Sequence, residues 1–145
     1  INKLKIMIWH KGKETFETID DFCTDYVGFV YKITHNITGE MYIGKKILMH
    51  KRTRPPLKGY KRKRVSYVES DWKSYTGSNI VSKTWRVEEC TREILELCEN
   101  KTMMTYYEVK YQFNFNVLEN DNYLNGNILG KFHKEKIRKF IENMK

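Results

Sequence analysis

The sequence predicts an α+β domain, a small three-stranded antiparallel sheet flanked by helices, and three observations carry that expectation. First, the β-forming runs FVYKIT at 29–34 and MYIG at 41–44 bracket a Thr-Gly turn signal within His35 to Glu40, so they read as a hairpin. Second, TREILELC, from Thr91 to Cys98, alternates charged and apolar residues at strand period. Third, helical spacing follows it: a helix is expected from about Thr102 to Phe113. A closing one is expected in HKEKIRKFIENMK, where Ile137, Phe140, Ile141 and Met144 stand at i, i+3, i+4 and i+7. A small sheet with helices packed on it is the economical way to bury these faces.

The remaining segments are read in chain order. Residues 1–27 hold a short alternating stretch, Leu4, Ile6 and Ile8, then a polar stretch to Asp25, and are expected to form an N-terminal arm or added strand. Residues 28–145 are expected to be the main domain, with a basic insertion at 45–64. ESDWKSY, with acids near a Ser-Asp cap, predicts a short helix that Thr76-Gly77-Ser78-Asn79 would stop. Asn114 to Gly130 has six Asn and two Gly in seventeen residues and reads as loop. No internal repeat is present.

With 145 residues, 40% of them hydrophobic, the chain has material for one core. Cys23, Cys90 and Cys98 are odd in number and widely spaced, which argues against a disulfide framework or a CxxC site and for reduced, buried thiols. No His–Cys or His–His spacing suits structural zinc. No apolar run approaches a membrane span, and the opening INKLKIMIWH is too short for a signal peptide, so an intracellular, cytoplasmic protein of a bacterial or phage-infected cell is expected. The chain begins at Ile1 without an initiator Met, which leaves room for a DNA-targeting domain outside these 145 residues.

The charge is uneven. Of 27 basic residues, ten fall between Lys45 and Arg64, a window without one acid; the rest of the chain has 17 basic against 18 acidic residues. Essentially the whole net charge of +9 therefore sits in one segment. Interrupted by Pro55, Pro56 and Gly59, it reads as a basic loop or short helix laid along a phosphate backbone, with Arg52, Arg54, Lys61, Arg62, Lys63, Arg64 and the downstream Lys73 as DNA contacts. A solvated charge run is the bland alternative.

In the hairpin, Tyr31 and Tyr42 stand on adjacent strands eleven positions apart, and Gly44 ends the second. GFVY at Gly28–Tyr31 and YIG at Tyr42–Gly44 resemble the two halves of the GIY-YIG nuclease signature, with one residue interposed before the first tyrosine. Without the intact YIG and the spacing, such a pair would be ordinary cross-strand packing. On the predicted helix, Met104, Tyr107, Glu108 and Tyr111 share one face, which turns Glu108 inward. A buried carboxylate needs a partner or a cation. The resemblance implies the cation, because the family signature continues with one helical glutamate that ligates a divalent ion. It also implies an orienting asparagine before an apolar residue, Asn127 in YLNGNI, with Asn125 as the alternative. An arginine usual on the family's first helix has no unique counterpart: Lys46, Arg52 and Lys73 compete. GKK with DWKxYxGS, which includes Tyr75, is similar to a phage-encoded branch, and homing types share the fold.

The resemblance thus implies a DNA endonuclease in which Glu108 holds one Mg²⁺ or Mn²⁺. Tyr31, with Tyr42, would position or deprotonate the water at a pKa lowered by neighbouring lysines and the metal's field; Lys46, with Arg52 or Lys73, would neutralise the phosphate; Tyr75 and Asn127 would complete the catalytic set. His50 is the alternative base. Expected partners are DNA, a second copy of the chain on DNA, and the DNA-targeting domain. The rival reading is a non-catalytic nucleic-acid-binding module, its tyrosines stacking on bases.

Overall fold

The computed structural model describes residues 7–23 and 25–144. Its strands are β1 (Trp9–Lys11), β2 (Glu14–Phe16), β3 (Gly28–His35), β4 (Met41–Ile47), β5 (Met49–Arg54), β6 (Arg64–Glu69), β7 (Cys90–Cys98), β8 (Asn127–Ile128) and β9 (Phe132–His133). The helices are α1 (Lys101–Asn114) and α2 (Lys134–Asn143). The three expected strands, β7, β3 and β4, form one side of a five-stranded sheet in the order β2-β1-β7-β3-β4. β3 pairs antiparallel with both β4 and β7, while β1 runs parallel to β7.

β3 is buried along almost its whole length because both faces of the sheet are covered. Phe29, Tyr31 and Ile33 point into one core with Trp9, Phe16, Phe22, Trp72 and Trp85. Val30 points the other way, with Ile43, Cys98, Met104, Val117 and Tyr123, under α1. Asn100 starts that helix, its side chain accepting from the Met103 amide at 2.8 Å.

Several expectations are corrected. The basic segment is loop only from 55 to 63: Lys45 and Lys46 belong to β4, and the flanks of that loop pair as a separate two-stranded ribbon of β5 and β6. The β-branched residues Thr53, Val65 and Val68 favour that state, and β4 feeds directly into it. ESDWKSY yields only a 3-10 turn, Trp72–Ser74, because its backbone groups are used by the sheet side chains described below. In the N-terminal segment, Leu4 and Ile6 lie outside the described residues, and the strand there begins at Trp9. Cys98 is buried as expected, but Cys23 is exposed and Cys90 half-buried.

Arg92 on β7 is 1% exposed. Its guanidinium stacks over Trp9 at 4.6 Å and donates to the carbonyls of Lys73 at 2.7 Å and Tyr75 at 3.1 Å. Trp9 donates its indole N–H to the Trp72 carbonyl at 2.8 Å. Burial lowers the Arg92 pKa to about 10, still charged at neutral pH. An irregular loop is thereby fixed to the sheet by side chains, in place of a ladder.

Gly44 faces Tyr31 across the β3–β4 pair. A Cβ at that position would lie 2.5 Å from the Tyr31 hydroxyl and 2.8 Å from its Cζ, so glycine makes room for the ring. Gly44→Ala is expected to cost about 1–3 kcal/mol of overpacking, read as a lower urea midpoint at unchanged slope. Arg92→Leu is expected to cost about 2–4 kcal/mol, since it strands buried carbonyls, and to red-shift Trp72 emission as the loop loosens.

Candidate active site

β4 lies at the edge of the sheet, and its alternation sorts its side chains between the two layers. Tyr42, Gly44 and Lys46 face the Tyr31 side, while Ile43, Lys45 and Ile47 face α1. The outer hydrogen-bonding groups of the strand are met in succession. The Met41 amide donates to Asn122 O at 2.7 Å, and the Leu124 amide donates to Met41 O at 2.8 Å. At the next rung the Asn125 side chain replaces a peptide unit: its Oδ1 accepts from the Ile43 amide at 3.1 Å and its Nδ2 donates to the Ile43 carbonyl at 2.8 Å. Gln112 of α1 donates to the same carbonyl at 3.2 Å.

Tyr31 sits in an aromatic nest, 5.6 Å from Trp9, 5.7 Å from Tyr75 and 6.3 Å from Tyr42 between ring centroids. It is fully buried, and its hydroxyl has no hydrogen-bond partner among the described residues. Burial first, then Tyr75 and Tyr42, push its pKa well above the ordinary phenol value. The lowering expected from neighbouring lysines is not found, since burial and the surrounding rings dominate and no lysine is among the groups that act on the hydroxyl. Tyr42 is half-buried, and its hydroxyl bonds to Ser78 Oγ at 2.8 Å. Its pKa is also raised, by burial above all, with the Ser78 bond pulling it back.

Lys46 is anchored rather than free. Its ammonium lies 2.5 Å from Asp71 and 4.0 Å from the centroid of the Tyr75 ring. Hydrogen bonding to Lys46 holds the Asp71 carboxyl below its usual range. Of the three residues that competed for the arginine's place, only Lys46 is in this cluster. Arg52 lies out on the β5–β6 ribbon, and Lys73 is 3.9 Å from Glu69. His50, the alternative base, stands at the root of the ribbon.

Glu108 is on α1, in line with buried Met104 and Gln112 one turn to either side. It lines an open cleft of about 480 Å³ with Tyr42, Ser78, Gln112, Asn125 and Asn127. Burial raises its pKa, and the Lys45 charge and amide draw it back. No ion pair engages Glu108 among the described residues, because the Lys45 ammonium bonds instead to Thr105 Oγ1 at 2.8 Å. A half-buried, unpaired carboxylate among hydroxyl and amide oxygens is a donor set that fits a hard divalent ion keeping most of its water. Among the described residues no group of three His, Cys, Asp or Glu could hold a metal, so Glu108 is the one carboxylate available in the cleft.

Of the two candidate asparagines, both of which line the cleft, the structure sets Asn125 against β4 and Asn127 in a turn. Asn127 is exposed and its side chain accepts from the Gly130 amide at 2.9 Å, which is turn chemistry. Asn125 is 3% exposed and clamps β4 beside the cleft. Sequence reasoning also passed over Ser78, Gln112 and Lys45. The period-2 alternation of β4 was the signal that Lys45, not Lys46, faces the helix bearing Glu108. Nothing local marks Ser78, which Gly77 at φ +107° delivers to Tyr42.

A comparison with curated proteins and one with solved structures returned no match. A comparison with protein families matched the family described as "Putative endonuclease segE, GIY-YIG domain" over residues 9–128. The matched span runs from β1 through β8 and takes in both tyrosines, Glu108 and Asn125. With 120 of 145 residues inside that match, the chain belongs to the GIY-YIG endonuclease domain family of the segE type.

Proposed function

We propose that this protein is a divalent-metal-dependent DNA endonuclease that hydrolyses phosphodiester bonds, of the phage-encoded or homing type. The observation that carries the reading is the cleft at the β4 edge, where Glu108, without an ion-pair partner among the described residues, lies with Tyr42, Ser78 and Asn125, the charge of Lys45 acting on it. A carboxylate beside a phosphate-binding surface is electrostatically adverse unless a cation lies between them. A Mg²⁺ or Mn²⁺ ion held by Glu108 would act as Lewis acid on the phosphate and stabilise the leaving 3′ oxygen.

The chain's own residues supply positioning and charge. Tyr42, protonated at neutral pH, offers its hydroxyl to the attacking water or to a phosphate oxygen from a fixed position set by Ser78. Tyr31 and Tyr75 form the wall that holds Tyr42 and Lys46 in register. Lys46 and Lys45 bring positive charge toward the phosphorus from the two sides of the strand, which favours the charge that builds in the transition state. Asn125 and Gln112 fix the strand against α1, so the distance from tyrosine to carboxylate is set by the fold. A second copy on DNA, or two successive nicks, would be required to cut both strands with one such site.

The direct test is supercoiled plasmid with Mg²⁺, with EDTA and with Glu108→Gln. Wild type is expected to nick only with the ion, and the variant to lose at least a hundredfold in rate. DNA retarded but never cut would favour the rival binding module. A second readout is independent of turnover: Mn²⁺ should enhance water proton relaxation with wild type and not with the variant.

The raised Glu108 pKa gives a signed expectation. Ion binding requires the ionised carboxylate, so with Mg²⁺ well below saturation the rate should fall with decreasing pH along a limb that lies above the ordinary glutamate range. For folding the sign is reversed. A carboxyl whose folded pKa is raised contributes its stability below the unfolded value and loses it as pH rises through the folded value. In EDTA, Glu108→Gln should therefore melt higher than wild type at pH 8, and the two should converge near pH 4.

A further inference from the structure

We infer that the β5–β6 ribbon is a groove-reading arm: it enters the major groove of duplex DNA, with Arg52 and Arg54 facing base edges, and decides where the neighbouring site cuts. The inference rests on the proposal that DNA is the substrate, and it adds a source of sequence preference within this chain.

Every residue from Lys51 to Glu69 is exposed, on both faces of the ribbon. It pairs with no other strand, forming a two-stranded sheet of its own. Such a hairpin is marginally stable in water when nothing packs on it. This one also leaves Val65, Tyr67 and Val68 about half exposed, at 51%, 64% and 47%. No ion pair engages any residue from Lys51 to Arg64 among the described salt bridges. Arg54 stands directly across from Arg64, an arrangement that repels until an anion is brought to it. The arm is therefore short of both packing and counter-charge, and a polyanionic groove supplies both.

Register divides the two faces. Cross-strand partners share a face, so His50 with Val68, Arg52 with Ser66, and Arg54 with Arg64 lie on one side, and Lys51 with Tyr67 and Thr53 with Val65 on the other. At the root the opposite face is taken up, with Met49 packed on the aromatic core and Glu69 accepting from the Trp72 indole, so the arginine face is the one left open. His50, at its root, lies close enough to help hold the Asp71 carboxyl down, and Asp71 carries Lys46. A ribbon two strands wide fits the B-DNA major groove, where arginine bonds guanine O6 and N7 in bidentate fashion. The deep, narrow major groove of A-form RNA admits no such element. From Lys46 to Arg52 or Arg54 is about 20–27 Å of extended chain, or roughly six to eight base pairs at 3.4 Å each. The bases read should lie within that distance of the cut.

The test separates binding from cutting. Glu108→Gln protein in EDTA is used to select from a random duplex pool, with the arm intact or carrying Arg52→Ser and Arg54→Ser, and retained folding is checked by circular dichroism. With the intact arm, guanine should be enriched at one or two positions. In the double variant that enrichment should vanish, and the slope of log affinity against log salt should change by no more than about two. Equal enrichment with both arms, none with either, or equal competition by duplex RNA would overturn the inference. Wild-type cleavage of the same pool reports on the nuclease proposal separately. Selection without any cutting would leave the arm standing and defeat the nuclease reading. Cutting with no guanine within about eight base pairs would defeat the arm alone.

Discussion

A guanidinium buried behind the sheet is the constraint on which the rest of this structure depends. Arg92 has left water almost completely, which is costly for an ion unless its donors are met. One edge meets them: Nη1 donates to carbonyls of the 72–75 turn and the ring of Trp9 lies against the guanidinium, while Nη2 has no acceptor among the described residues. The exchange works in both directions. The turn has no ladder of its own and would otherwise carry unsatisfied carbonyls; with them satisfied, Tyr75 is held against Tyr31 and the chain is led on through Gly77 to Ser78. The same contact draws in β1 through Trp9, so the outer hairpin and the active-site loop are tied to one side chain.

The site itself is built on an edge strand, normally a liability because its unpaired amides and carbonyls invite further strands. Here the outer edge of β4 is closed in steps: by main chain at Met41, then by the Asn125 amide at Ile43. The ladder stops there, next to Lys45 and Glu108. Closing the first rungs holds the strand still, and ending the closure leaves the cleft open. Since the two sheet faces meet at this edge, residues from both layers converge on it. Strand alternation then places one lysine on each side of the strand.

Two kinds of surface result, with different physics. The cleft is pre-organised: its tyrosines are wedged among rings and its carboxylate is fixed by a helix. The arm is the reverse, an exposed ribbon with high charge density, tied to the core only at its root through Met49 and Glu69 among the described residues. Under the two proposals, a site that acts on a backbone common to all DNA gains nothing from reading bases, and an arm that reads bases needs no chemistry. Separating them along the chain, with Lys46 and Asp71 at the junction, lets each be shaped for its own task.

The central hairpin, the third strand and both helices were legible in the sequence, because local periodicity and turn chemistry dictate them. So was Glu108, since helical spacing alone turns it inward with Met104. The paired tyrosines and YIG glycine were visible as a pattern, though only packing shows why the glycine is needed, with the Tyr31 ring occupying its Cβ position. The sequence did not reveal that Tyr31 is sealed from water, that Asn125 rather than Asn127 braces the strand, or that the flanks of the basic loop pair as a ribbon. Each of these turns on which groups from distant parts of the chain come together: Trp9, Tyr42 and Tyr75 around one phenol, and residue 125 beside residue 43. Burial and hydrogen-bond partnership are properties of that assembly. Residue type and spacing determine the elements, and tertiary structure alone decides which polar groups lose water and which replacement they find.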